Sequence, residues 1–198
     1  MLSGLIPYNG HLVRRLREEG ILKDFDPRRM KEHEKFTLVS CPDCERFNNL
    51  YMYLRAVCGA KIHPLTQHGG ACRFVTESPM NITSVPGYAD QQLEELRKAV
   101  MVIVQSPLVL STCHLPCGMA RLSNMNWVDV LQESALAQQR IEGLISAAGG
   151  RVEVSTLVHI HWRNEPKDED PQRTYSFDVE KWPALYPLYQ QEVLAGVA

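Results

Sequence analysis

Two short apolar runs constrain this chain more than any other feature, because each leads directly into metal-binding residue types. Residues 36–40 (FTLVS) end at Cys41, and residues 108–111 (LVLS) lead into His114 and Cys117. Both runs are rich in β-formers and short enough to be buried strands. Between them lie helical patterns. Residues 47–58 suit a helix closed by Gly59, and a short strand is expected near residues 61–65. Residues 76–88 hold Pro79, Pro86 and Gly87 and read as a loop. In 89–104 the residues Leu93, Leu96, Val100 and Ile103 recur at helical spacing. A long helix is expected from about Trp127 to Ala147, with Val130, Leu131, Ile141, Leu144 and Ile145 inward and Gly149 and Gly150 as its stop. In 152–162 the residues Val152, Val154, Val158, Ile160 and Trp162 alternate as a strand requires. The strand–helix alternation predicts an α/β fold, with a mostly parallel central sheet of about four strands flanked by helices.

The ends of the chain read differently. Leu12, Val13 and Leu16 form an apolar stripe with Gly20 as a stop, and Asp26-Pro27 is a good start for a second short helix. The expected division is N-terminal helices over 1–34, an α/β core over 35–163, and a polar linker with a docking segment over 164–198. The linker is 164–175, and the tail beyond it carries Trp182, Leu185, Tyr186, Leu188 and Tyr189. That apolar content predicts docking on the domain or on a second subunit.

A chain of 198 residues buries enough surface to fold without disulfides. Its net charge of −2 gives no sign of a nucleic-acid partner or an anionic membrane. No apolar run is long enough for a transmembrane helix, and the N-terminal stretch lacks a signal-peptide layout. The expected location is cytoplasmic. In a reducing compartment, clustered Cys and His are read as metal ligands or redox groups.

The two strand-end motifs are Cys41-Pro42-Asp43-Cys44-Glu45-Arg46 and His114-Leu115-Pro116-Cys117-Gly118. Sites in parallel α/β sheets gather at the carboxyl ends of strands, so neighbouring strands would bring these residues together. Thiolate, imidazole and thiolate form a Cys₂His set suited to catalytic zinc, which keeps an open fourth position. A closed structural site that adds Cys44 is an alternative, and Cys41-x-x-Cys44 alone reads as a redox pair.

On these residues the chain resembles the β-class carbonic anhydrases, whose pattern is C-x-D-x-R followed later by H-x-x-C-G. The resemblance covers roughly residues 35–162. It implies Zn²⁺ held by Cys41, His114 and Cys117, with Asp43 and Arg46 as catalytic residues. Asp43 would accept a hydrogen bond from the zinc-bound water or take the fourth zinc position, and Arg46 would pair with Asp43. Gly69 and Gly70 fall where the family has a small turn beside the site. The implied reaction is hydration of carbon dioxide to bicarbonate, by a water whose pKa zinc lowers to about 7. The resemblance also implies a homodimer or higher homo-oligomer. Arg46 stands three residues after Asp43, where the family has its arginine two after, and Cys44 stands where a serine is usual. A zinc hydrolase of another small electrophile shares the same pattern.

Other candidates have plainer readings. Cys58, Cys72 and Cys113 read as small buried hydrophobes, with Cys113 facing away from His114. His159 and His161 share a strand face with Glu153, Ser155 and Arg163, so that face reads as solvated or as an interface. His63 and His68 read as loop residues, with His68 near the cleft.

Overall fold

In a computed structural model of the chain, residues 10–81, 85–161 and 172–195 are described, apart from the side chains of Cys44 and Glu45. The runs rich in β-formers become β2 (Lys35–Ser40), β3 (Lys61–Thr66), β4 (Leu108–Leu115) and β5 (Glu153–His161). β2 pairs in parallel with β3 and with β4, and β4 pairs in parallel with β5. Two more strands, β1 (Leu22–Asp24) and β6 (Gln172–Phe177), add on antiparallel, giving the order β1-β6-β5-β4-β2-β3. The fold is α/β, with a six-stranded mixed sheet flanked by helices. The expected count of about four strands is corrected to six. β1 has three residues of which only Leu22 is buried, and β6 begins inside the stretch read as a polar linker. Neither carries a strong local strand signal.

The central strands β2, β4 and β5 are buried on both faces. Leu108 and Leu110 pack with Phe36, Leu38, Leu157 and the residues Leu50 and Leu54 of α2 (Cys44–Cys58). Val109, between them in sequence, packs on the other face with Leu93, Leu96, Ile141 and Ile145. Continuous apolar runs rather than alternating ones are what two covered faces require. α2 ends at Gly59, whose φ of 68° gives the left-handed turn that terminates helices.

The second face is covered by α3 (Tyr88–Lys98), α5 (Trp127–Ala147) and α6 (Trp182–Leu194). α5 has the bounds the sequence predicts. Asn126 accepts from the Asp129 N–H while the Asp129 carboxylate accepts from the Asn126 N–H, a capping box. The tail docks on this same domain: Trp182 and Tyr189 are fully buried beside Val128 and Leu131. In 89–104 the expected single helix gives way to a π-helical segment, Ala99–Val104, which shifts the phase of the stripe. Leu93, Leu96 and Val100 are buried, but Ile103 is 67 % exposed.

At the N-terminus, α1 (Gly10–Glu18) buries Leu12, Val13 and Leu16. Asp26 caps the next element as predicted, yet that element is one 3₁₀ turn, Pro27–Met30, with Met30 its one buried residue. The charged residues that follow offer no second turn to bury. His63 lies on β3 rather than in a loop, whereas His68 follows β3 in a loop. His159 and His161 are 3 % and 2 % exposed, so the solvated reading of their face is overturned. β6 supplies the reason. Its Thr174 Oγ1 lies 2.9 Å from His159 Nδ1, and Gln172 Oε1 lies 3.1 Å from His159 Nε2. Trp162 and Arg163 lie outside the described residues. Among the described residues, no helix is long and apolar enough to cross a membrane.

Candidate metal centre

The parallel pairing of β2 with β4 places the two motifs side by side. Thr37 is level with Val109 and Val39 with Ser111, so the strands deliver their carboxyl ends to the same edge. Cys41 is the residue after β2, His114 is the last but one of β4, and Cys117 caps α4 (Gly118–Leu122). The ligand atoms of Cys41, His114 and Cys117 all lie within 4.8 Å of one another, a group that could hold a metal ion. All three residues are buried, at 6 %, 5 % and 8 % exposed.

His114 shows how the group fits an ion. Its Nδ1 lies 3.0 Å from the carbonyl oxygen of Pro116, which can only accept, so Nδ1 carries the proton. That leaves Nε2 with a free lone pair, buried and without a hydrogen-bond partner. A histidine whose one nitrogen donates to a carbonyl while the other stays available is the usual arrangement of a metal ligand. A buried polar atom with no partner is otherwise costly.

Charge is distributed unevenly between the two thiols. The Cys41 thiol is held below its ordinary value, chiefly through its contact with Cys117 and also by the Gly69 N–H, against the effect of burial. Gly69 N lies 3.4 Å from Cys41 Sγ. Cys117 is pushed up by the same contact with Cys41 and by burial. A divalent cation favours both as thiolates.

Asp43 caps α2, with Oδ1 accepting from the Arg46 N–H at 3.4 Å. Arg46 Nη1 then donates to Asp43 Oδ2 at 3.0 Å. The guanidinium is buried and the carboxylate half-exposed. One helical turn thus brings the later arginine back to the aspartate. The pair lies outside the Cys41, His114 and Cys117 group.

Two cavities meet at Cys41. The inner one, about 10 Å³, is lined by all three candidate ligands with Cys72, Cys113 and Thr112 among its walls. It has room for little more than an ion or a single water. The outer one, about 440 Å³, is lined by Cys41, Asp43, His68, Met119, Arg121 and Leu122, with Pro42 and Gly118. Cys41 alone belongs to both.

The structure therefore brings Cys41, His114 and Cys117 together, with the Asp43–Arg46 pair beside them. The Gly69-Gly70 turn lies beside the site as expected, and the Cβ of a side chain at Gly70 would meet the Cys41 N at 3.2 Å. Cys58, Cys72 and Cys113 are buried, as their plain reading held. Cys113 also lines the inner cavity. The side chain of Cys44 lies outside what is described. Sequence reading missed Met119, Arg121 and Leu122 as walls of the outer cavity. α4 has only five residues, too short for its facing to be read from periodicity. Compared with protein-family models, with curated proteins and with solved structures, the chain matches none.

Proposed function

We propose that Cys41, His114 and Cys117 hold one zinc ion, and that the protein is a carbonic anhydrase of the β class, hydrating carbon dioxide reversibly to bicarbonate. The observation that carries this reading is the buried, unpartnered Nε2 of His114, grouped with two thiols and flanked by a paired aspartate and arginine. Two sulfurs and one imidazole are a donor set suited to zinc with an open position. Bound zinc would supply a Lewis acid that lets water react as hydroxide near neutral pH.

The chain's own residues do the rest. Arg46 holds the Asp43 carboxylate in place by a charge-assisted hydrogen bond. Asp43 accepts a hydrogen bond from the reacting water at its carboxylate oxygen and so orients that water toward carbon dioxide. The Gly69 N–H draws charge from the Cys41 sulfur, which leaves the site more electrophilic. The balanced reaction is carbon dioxide plus water to bicarbonate plus a proton. The parallel pairings β2–β3, β2–β4 and β4–β5 support the family's sheet architecture for this chain. The same reading makes the protein a cytoplasmic homodimer, which sedimentation equilibrium tests.

Stopped-flow carbon dioxide hydration on the zinc-loaded protein, across about pH 6.5 to 9, tests the activity. The reading predicts hydration that rises with pH and disappears in Cys117→Ala. One zinc per chain without hydration at any pH contradicts it.

A further inference from the structure

The outer cavity is far larger than carbon dioxide needs. At about 440 Å³ it falls in the range of pockets that take organic ligands. Its walls are of two kinds. Met119 and Leu122 are apolar, and Leu122 is 78 % exposed on a helix that otherwise ends there. Such a residue gains by being covered. Arg121 and His68 bring basic groups, while Asp43, the one carboxylate in the lining among the described residues, is already engaged by Arg46. The cleft therefore presents the Arg121 guanidinium and the His68 imidazole beside apolar surface, next to Cys41.

We infer that this outer cleft binds an organic carboxylate with a short apolar chain. The carboxylate group is held by the Arg121 guanidinium, whose planar fork matches two carboxylate oxygens. The chain lies on Met119 and Leu122. The ligand then stands beside Cys41, which also lines the inner cavity. An organic acid held there is placed next to one candidate ligand of the proposed zinc. This consequence rests on the metal reading, whereas the binding itself does not.

Calorimetric titration of the full chain with acetate, butyrate and hexanoate tests the proposal, with zinc content measured on the same sample. Affinity should tighten about two- to fourfold with each added methylene, as partly buried CH₂ groups require. Arg121→Gln should weaken hexanoate about tenfold, the usual loss for a charge-assisted hydrogen bond. Leu122→Ser should flatten the dependence on chain length while leaving acetate unchanged. Affinity indifferent to chain length, or to Arg121→Gln, overturns the proposal. A zinc-free chain that binds hexanoate in this way supports the cleft and removes the zinc reading. A zinc-loaded chain that ignores all three acids removes the cleft alone.

Discussion

Arg46 reaches back one turn of α2 to hold the Asp43 carboxylate at 3.0 Å, although it stands one position later than the family pattern requires. The buried guanidinium has no other carboxylate within ion-pair distance among the described residues. On the proposed mechanism, Arg46→Gln should therefore leave zinc at one per chain and reduce carbon dioxide hydration about tenfold or more, because the carboxylate proposed to orient the water loses its fixed position. Metal analysis alongside stopped-flow kinetics reads both quantities. A variant with full activity would show that the pair serves the helix start alone.

Asp43 also caps α2, and its two roles separate by substitution. Asp43→Asn keeps a capping oxygen and should cost less than about 1 kcal/mol of stability, whereas Asp43→Ala should cost about 1 kcal/mol. Both should lose hydration activity to a similar degree. Thermal unfolding and kinetics on the two variants check this.

Three ligands suffice in the proposed centre, so Cys44→Ser should retain one zinc per chain. A closed site that used Cys44 as fourth ligand should instead lose zinc affinity and stability together. Competition with a chromophoric chelator distinguishes the two.

Gly70 sits at φ +57° with Thr112 O 3.0 Å and Cys41 N 3.2 Å from where a Cβ would be. Both near atoms are backbone, so neither yields easily. Gly70→Ala combines left-handed strain with this close approach and should destabilise the fold by about 2 kcal/mol. In a chain of this size that is roughly 4–8 °C in melting temperature. Zinc affinity should fall as well, since the turn that aims the Gly69 N–H at Cys41 would shift.

Glu133 gives a pH dependence away from the metal centre. Burial raises its carboxyl from the ordinary 4.5 to about 7, with Asp129 and Glu77 adding to the shift and Ser78 opposing it. A carboxyl raised in the folded state holds its proton more tightly there than when unfolded. Its contribution to stability is present below about pH 4.5 and is lost as pH rises through about 7. Glu133→Gln should flatten this decline and raise the melting temperature by a few degrees at pH 8. Melting curves from pH 4 to 8 on both chains read the difference.

The elements that were legible in the sequence are those with strong local signals. α5 runs from Trp127 to Ala147, its inward apolar residues and the Gly149-Gly150 stop being readable in the chain. β2 and β4 are continuous apolar runs, and their parallel pairing is what brings Cys41 to His114 and Cys117. β1 is not legible because a three-residue strand exists only through pairing with β6, more than a hundred residues away in sequence, and β6 is not legible because its sequence is largely polar. The burial of His159 and His161 depends on that same late strand, so a single-strand pattern left them on an open face. Ile103 was misplaced because a π-helical segment breaks the helical period that its spacing suggested. The outer cavity is assembled from α4, the loop at His68 and the start of α2, and no local pattern announces such a meeting.

The most direct test of the metal centre is zinc content by mass spectrometry on the purified chain and on Cys117→Ala, each dialysed against metal-free buffer and checked for fold by circular dichroism. One zinc per wild-type chain and little in Cys117→Ala, with the fold retained, is the predicted result. A Cys117→Ala chain that keeps one zinc, or a wild-type chain that takes up none, contradicts the assignment of Cys41, His114 and Cys117 as ligands.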